Sequence, residues 1–194
     1  MIYDPQMTLR NARALYFRLN NFGDDGGYDD QWVKVKVWGI PIWWPNTQGR
    51  LRAVRLHDLH HVLTEYPTTW RGEAEIAAWE IGSGGVRKYY AGWLLDLLGV
   101  AQGLVINPRG VYGAFMRGRK TLNLYSTEFS DGLLSNCVGE FRRRLDLDKP
   151  FPPPTLGDHA AFVFWVLASV MTIIVPVFAV LTLMAVIGYS ILSS

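Results

Sequence analysis

The chain has 194 residues, a length that suits one domain of about 150 residues and an additional segment. It carries 19 basic and 17 acidic side chains, for a net charge of +2, and this balance excludes the basic footprint of a nucleic-acid-binding protein. Apolar residues make up 49% of the sequence, which is an apolar content for a soluble protein, and the excess lies at the carboxyl end.

The amino-terminal part is predicted to hold a helix, a loop and an extended segment. Residues 8–20 have apolar side chains at helical spacing, and residues 20–30 are rich in Gly, Asn and Asp, as in a loop. Over residues 32–44, valines that alternate with lysines are followed by aromatic side chains, with interruptions at Gly39 and Pro41. We expect a small hairpin or two extended arms. Their tryptophans pack in the core by default, or else lie at a membrane interface.

The middle of the chain is predicted to be helical. A helix over residues 50–66 ends at Pro67, and a second helix follows Thr68 or Thr69 as its N-cap and closes at Gly82. Three more helices are expected at residues 86–106, 111–126 and 133–147. The predicted fold class is therefore mainly α, with a small extended segment near residues 32–44.

The carboxyl-terminal run, residues 160–194, contains no Asp, Glu, Lys or Arg. About 20 apolar residues suffice to cross a bilayer as a helix, so we expect a membrane anchor. One helix of this length would measure about 50 Å, against a hydrocarbon core of about 30 Å. Pro176 lies in its middle, so the anchor is either one long kinked span, which we favour, or a re-entrant hairpin.

The predicted organisation is a helical domain at residues 1–149, a proline-rich linker at 150–158 and a membrane anchor at 159–194. Basic residues precede the anchor and none follows it, which places the helical domain on the cytoplasmic side. The amino terminus has neither the apolar core nor the cleavage site of a secretory signal. The single cysteine, Cys137, can form no internal disulfide, which favours a reducing compartment.

The densest polar cluster is H-D-L-H-H at residues 57–61. On a helix, His57 and His61 lie one above the other, and Asp58 is three residues before His61, so these three side chains can converge. Two imidazoles and a carboxylate suit Zn²⁺, Fe²⁺ or another divalent ion. His60 points elsewhere on the helix. The alternative is a surface helix that happens to be rich in histidine.

A fourth ligand is expected from the next helix. Glu73 lies in its first turns, and two antiparallel helices joined by a short loop bring such positions together. Glu75 faces another way, so only one of these two carboxylates can join the site. Glu80 lies two turns beyond Glu73 on the same face, where it can support the site or face a substrate.

Two hydrolase classes use related patterns. A metalloprotease helix also has two histidines four residues apart, but its general base is a Glu, which is one methylene longer than Asp58. A phosphohydrolase of the His…His-Asp…Asp type needs a histidine before His57, and none precedes it. Neither class is favoured.

The pattern His57-Asp58-x-x-His61, eleven residues and Glu73 resembles the signature of the fourth coenzyme Q (ubiquinone) biosynthesis protein family. The surrounding run, RLHDLHHVLTEYPTTWRGEAEIAAWEIGSGG, is similar to that family beyond the four ligands. The resemblance covers residues 45–85 well, extends loosely to about residue 148 and leaves out the anchor. It implies a helical fold that holds a divalent metal on these four residues, usually Zn²⁺, with Fe²⁺ and Mg²⁺ as alternatives.

The resemblance also implies a function in quinone biosynthesis. The helical domain would bind a polyprenylated aromatic lipid and remove its ring carboxylate oxidatively, with Glu80, Arg71 and Tyr66 as candidates for managing protons. The alternative is a prenyl-lipid-binding scaffold with a structural metal. The implied partners are the membrane, other quinone-biosynthesis proteins and a second copy in a homodimer. The long anchor and the extended segment depart from the family and indicate a divergent, bacterial branch.

Overall fold

A computed structural model describes residues 2–37 and 40–192 of the chain. In this part the protein is mainly helical, with one two-stranded sheet and a long apolar helix at the carboxyl end, so the predicted fold class is confirmed. The elements in chain order are α1 (Leu9–Asn20), β1 (Trp32–Val37), β2 (Ile40–Pro45), α2 (Gln48–Thr64), α3 (Trp70–Gly82), α4 (Tyr90–Ile106), α5 (Pro108–Gly118), α6 (Asp131–Leu134), α7 (Val138–Arg144) and α8 (Leu156–Leu192).

Threonine hydroxyls start the first three helices. Thr8, Thr47 and Thr69 each precede a helix and accept a hydrogen bond from the backbone N–H three residues later. Thr69 rather than Thr68 is therefore the cap of α3. At the other end of α2, Glu65 adopts a left-handed conformation, with φ of 63°, and its N–H donates to a carbonyl of the last turn.

The extended segment forms an antiparallel hairpin of β1 and β2, in which Val33 lies opposite Trp44. The predicted interruption at Gly39 lies outside the described residues. Trp32 and Trp43 are 56% and 64% exposed, so the expectation of core packing is wrong for them. A two-stranded ribbon leaves side chains of at least one face uncovered unless another element packs on it.

Helix α3 lies at the centre of the helical domain. Its Trp79 is fully buried, and the indole N–H donates to Thr121 Oγ1 at 2.9 Å. Two glycines allow α3 to approach α5 closely. A Cβ on Gly118 would lie 2.4 Å from the carbonyl oxygen of Trp79, and one on Gly82 would lie 2.5 Å from that of Phe115. This close contact fixes the position of α3 relative to α5.

The helix predicted over residues 111–126 is wrong beyond Gly118, where α5 ends. Residues 119–126 form turns instead. The Asn123 amide donates to the backbone carbonyl of Gly85 at 3.1 Å, and the Leu124 N–H donates to His60 Nε2 at 2.9 Å. These bonds to distant segments replace the hydrogen bonds that a continued helix would make, and apolar periodicity does not reveal them.

The helix predicted over residues 133–147 is divided into α6 and α7. Between them the chain pairs with the amino-terminal segment. The Leu9 N–H donates to the carbonyl of Asn136, and the Val138 N–H donates to the carbonyl of Met7, both at 2.9 Å. The break therefore satisfies backbone groups on both sides through a contact between distant parts of the sequence.

Helix α8 runs without interruption through Pro176, so a single helix replaces the hairpin alternative over the described residues. It is long and apolar enough to cross a membrane. It begins at Leu156, so only residues 150–155 of the predicted linker at 150–158 lie outside a helix.

The contact between α3 and α5 gives a prediction about stability. We expect Gly118→Ala to lower the free energy of unfolding by about 1–3 kcal/mol, because the new methyl group meets backbone atoms that cannot move aside. Gly113→Ala on the same helix is the matched control. Beyond its own helix, no atom of the described residues lies within 4 Å of its Cβ position, so we expect a gain of about 0.5–1 kcal/mol from helix propensity. Denaturant unfolding in detergent measures both, and equal effects would contradict the close contact.

Candidate metal centre

Helices α2 and α3 bring three of the four predicted ligands together. His57 and His61 lie one turn apart on α2, and Glu73 lies in the first turn of α3. One ligand atom from each residue lies within 4.8 Å of the other two. These three residues, the metal group, could hold a metal ion.

The distances within the metal group match those around one small ion. His57 Nε2 and His61 Nε2 are 3.2 Å apart, and the Glu73 carboxylate oxygens lie 3.7 Å from the first and 3.5 Å from the second. Two nitrogens bound to a tetrahedral zinc ion at about 2.1 Å would be about 3.4 Å apart. The residues therefore fit a divalent metal in the arrangement that the fold gives them.

The other ring nitrogen of each histidine is held by a hydrogen bond. His57 Nδ1 donates to Glu80 Oε1 at 2.9 Å, and His61 Nδ1 donates to the backbone carbonyl of Tyr66 at 2.8 Å. Histidines that bind metals usually donate this second N–H to a carboxylate or a carbonyl, which fixes the tautomer and the ring orientation. The two Nε2 atoms consequently lie on the side of the Glu73 carboxylate, at 3.7 and 3.5 Å from its oxygens.

Asp58 is the predicted ligand that the structure does not bring into the metal group. Its side chain is buried, and its Oδ2 accepts a hydrogen bond of 2.5 Å from the Tyr28 hydroxyl. Burial raises the pKa of Asp58 above its usual value, and the charge on His57 and the Tyr28 hydrogen bond only partly offset this effect. Among the described residues, the metal group therefore has three members that could bind an ion.

Glu80 is fully buried and connects α3 to three other groups. Its Oε1 accepts hydrogen bonds from His57 and from His60 Nδ1, the latter at 2.6 Å, and its Oε2 accepts one of 3.0 Å from the Tyr125 hydroxyl. Burial raises the pKa of Glu80, but the charge of His57 and the hydrogen bonds from His57 and His60 outweigh it and hold the pKa well below its usual range. Glu80 thus orients a ligand ring.

The two other predicted proton carriers lie elsewhere. Arg71 is exposed on α3, and the Tyr66 ring lies 5.3 Å from the guanidinium carbon of Arg117. Neither side chain is among the described residues that line the pocket beside the metal group. The contribution of Tyr66 that the structure shows is its backbone carbonyl, which orients His61.

A largely apolar pocket of about 730 Å³ lies beside the metal group, with His57 and Glu73 in its wall. Its size is that of pockets that hold small-molecule ligands and cofactors. Lys34 and Arg50 add positive charge to the lining. Residues of α4 form much of the remaining wall, namely Ala91, Gly92, Leu95, Asp96, Leu98, Gly99 and Gln102.

The sequence analysis did not identify Asp96 and Tyr125. Asp96 is 5% exposed, and no donor among the described residues reaches its Oδ2. Burial, followed by the charge of Glu80, raises the pKa of Asp96 well above its usual value, which favours the neutral acid. In the sequence, Asp96 stands out as the one charged residue in the apolar run of α4. Tyr125 gave no signal, because its segment was predicted to be helical.

A search against protein-family models found no match, and comparisons with curated proteins and with solved structures found none either. The resemblance described above therefore depends on the residues of the H-D-L-H-H run and its surroundings. The geometry of the metal group is an independent observation, because it follows from the fold of this chain.

The metal group predicts the effect of removing one ligand. We expect Glu73→Gln to lose most of the bound metal, because a neutral amide is a much weaker ligand than a carboxylate for a divalent ion. Glu75→Gln is the matched control, since Glu75 lies on the same helix and bonds Asn107 at 2.9 Å. Elemental analysis of the purified variants gives the metal content. Equal metal in both variants would show that Glu73 is not a ligand.

The same measurement tests Asp58. We expect Asp58→Asn to keep its metal, because the Asp58 oxygen bonds Tyr28 and lies outside the metal group. Loss of metal comparable with that of Glu73→Gln would instead make Asp58 a ligand, as the sequence analysis predicted.

Metal binding should also release a proton. Burial lowers the pKa of the His57 ring, but the carboxylates of Glu80 and Glu73 raise it well above its ordinary value, which favours the doubly protonated ring in the metal-free protein. An ion at Nε2 displaces the proton on that atom, and the affinity therefore falls as the pH is lowered. Titration calorimetry in buffers of different ionisation enthalpy should show about one proton released for each ion bound. Binding without proton release would contradict this assignment.

Proposed function

We propose that the chain is a membrane-anchored, metal-dependent enzyme of quinone biosynthesis that acts on the head group of a polyprenylated aromatic acid. The observation that carries the proposal is the position of the three-ligand metal group in the wall of an apolar pocket of about 730 Å³. A prenyl chain needs an apolar wall, and the ring acid needs a charged group at its head. Zn²⁺ is the ion that the resemblance implies, and two imidazoles and a carboxylate suit both Zn²⁺ and Fe²⁺.

The basic residues of the pocket suit the carboxylate of such a substrate. Arg50 Nη1 donates to Asn46 Oδ1 at 2.7 Å, while its buried Nε has no partner among the described residues. A guanidinium has five N–H donors, so donors remain for an anion in the pocket. Lys34, which also lines the pocket, adds a second positive charge. Asp96 lies in the same wall, and burial raises the pKa of its carboxyl group well above the usual value.

The proposed reaction replaces the ring carboxyl group with a hydroxyl group. With dioxygen and a two-electron reductant as co-reactants, the acid, one O₂, two electrons and two protons give the phenol, one CO₂ and one water. A bound divalent ion would supply a Lewis acid that polarises the carboxylate or phenolate of the head group. Glu80 would hold the ring of His57 in place, and the backbone carbonyl of Tyr66 would hold that of His61.

The membrane is part of the proposal. Helix α8 is long and apolar enough to span it, and the basic residues before the helix favour a cytoplasmic helical domain. An anchor keeps the pocket at the bilayer, where polyprenyl chains reside. By the same resemblance we propose other quinone-biosynthesis proteins and a second copy of the chain as partners.

A prenyl-lipid-binding scaffold with a structural metal is the alternative. Structural zinc sites are closed by four protein ligands, whereas catalytic sites keep a position for water or substrate. The metal group has three ligands among the described residues, because Asp58 bonds Tyr28. This open position favours the enzyme.

The test uses the metal-loaded full chain in vesicles with a polyprenyl-hydroxybenzoate whose carboxyl carbon is isotopically labelled, together with dioxygen and a reductant. We expect labelled CO₂ and the corresponding phenol from the wild type and from Glu75→Gln, and a loss of at least about 100-fold in Glu73→Gln, because the Lewis acid is absent. Lipid that binds without release of CO₂ in the wild type would reject the enzyme and favour the scaffold.

A further inference from the structure

Helix α4 leaves four large apolar side chains exposed, one of which is Tyr90 in its first turn. The other three, Leu94, Val105 and Ile106, are 40%, 70% and 37% exposed. The only charged residue in the helix, Asp96, is buried. A surface helix of a soluble protein normally has charged and polar residues on its outer face. The outer face of α4 therefore suits an apolar environment.

The ends of α4 have the residues that are typical of a membrane interface. Arg87 and Lys88 are exposed just before the helix, and Arg109 is exposed just after it. Tyr90, in the first turn, is 85% exposed. Basic side chains are attracted to anionic headgroups, and tyrosine is enriched at the headgroup level of the bilayer. These groups point to a lipid surface as the partner of the apolar face.

The first half of α8 packs beside α4. The Trp93 and Trp165 rings stack with centroids 5.1 Å apart, and Ser169 of α8 is fully buried. Asp158 ties the start of α8 to the domain, since it accepts hydrogen bonds from Arg119 and Lys120 at 3.0 and 2.6 Å. The described side chains of residues 174–191 are all exposed. Helix α8 thus leaves the domain near residue 173.

The length of α8 places α4 relative to a bilayer. Residues 174–191 measure about 27 Å at 1.5 Å per residue, close to the hydrocarbon thickness of about 30 Å. Residues 160–173 add about 21 Å of uncharged helix beyond the length required to span the hydrocarbon core. This additional length includes Trp165, which stacks on Trp93 of α4, so α4 packs within about 21 Å of the exposed span.

Part of the pocket wall lies next to the exposed side chains of α4. Leu95 and Leu98 line the pocket. They follow the exposed Leu94 by one residue and by about one helical turn. Two other pocket residues, Phe22 and Trp70, are 41% and 42% exposed. Exposed apolar groups at the mouth of a pocket would be covered by lipid if α4 lay in the membrane surface.

We propose that α4 lies in the headgroup–acyl boundary of an anionic bilayer beside the first half of α8, so that the pocket opens onto the membrane. A lipid ligand then reaches the metal group from within the bilayer, without crossing water. The inference rests on the membrane anchor of the proposed function and is independent of the proposed reaction.

The test places a single fluorescent label on the full chain in vesicles of phosphatidylcholine and phosphatidylglycerol. Cys137→Ser removes the native thiol, and Val105→Cys, Val180→Cys and Leu122→Cys each add one label site. Val105 reports on α4 and Val180 on the anchor. Leu122 is the matched control, since its side chain is 56% exposed. It lies two residues after Lys120, which binds Asp158 at the start of α8, at the end of that helix far from the exposed span.

Lipids with a nitroxide on the acyl chain should quench the labels at positions 105 and 180 severalfold more than the label at 122, and aqueous iodide should show the reverse order. If position 180 is quenched by lipid while 105 behaves as 122 does, the inference is overturned and the anchor stands. If position 105 is shielded from both quenchers, a protein such as a second copy covers α4, and the inference is again overturned. If position 180 is not quenched by lipid, both the anchor and the inference fail.

Discussion

The arrangement of the helical domain around the metal group depends on one buried carboxylate. Glu80 is fully buried in α3 and accepts hydrogen bonds from His57 and His60 of α2 and from Tyr125. A buried charge is tolerated only when it is paired, and removing one partner from such a pair typically costs about 3–5 kcal/mol. Glu80 therefore fixes α2 against α3 and orients the ring of a metal ligand at the same time.

The hydrogen bonds around Glu80 also explain the two roles of the histidine run. His57 directs Nδ1 to Glu80 and Nε2 to the metal group, whereas His60 uses both nitrogens inside the protein, one for Glu80 and one for the backbone N–H of Leu124. Burial lowers the pKa of His60, so it stays neutral and can accept that bond. The turn after α5 is thereby tied to the metal centre.

The fold places the metal group, an apolar pocket and an apolar helix next to each other. Helix α4 contributes to the pocket with several of its residues and packs on α8 through Trp93. If α8 spans a membrane, the pocket lies close to the bilayer, because α4 both lines the pocket and packs on α8. Chemistry on a lipid head group is then compatible with a substrate whose prenyl tail stays in an apolar environment throughout.

The sequence by itself determined the helical class, the apolar carboxyl-terminal helix and the combination of His57, His61 and Glu73. These features are local or periodic: four-residue spacing places two rings on one side of a helix, and a short loop returns the next helix. Only the tertiary structure decided the role of Asp58, the pairing of Glu80, the end of α5 at Gly118 and the pocket residue Asp96. Each of these depends on hydrogen bonds or burial between segments that are far apart in the chain, and no spacing rule encodes such contacts.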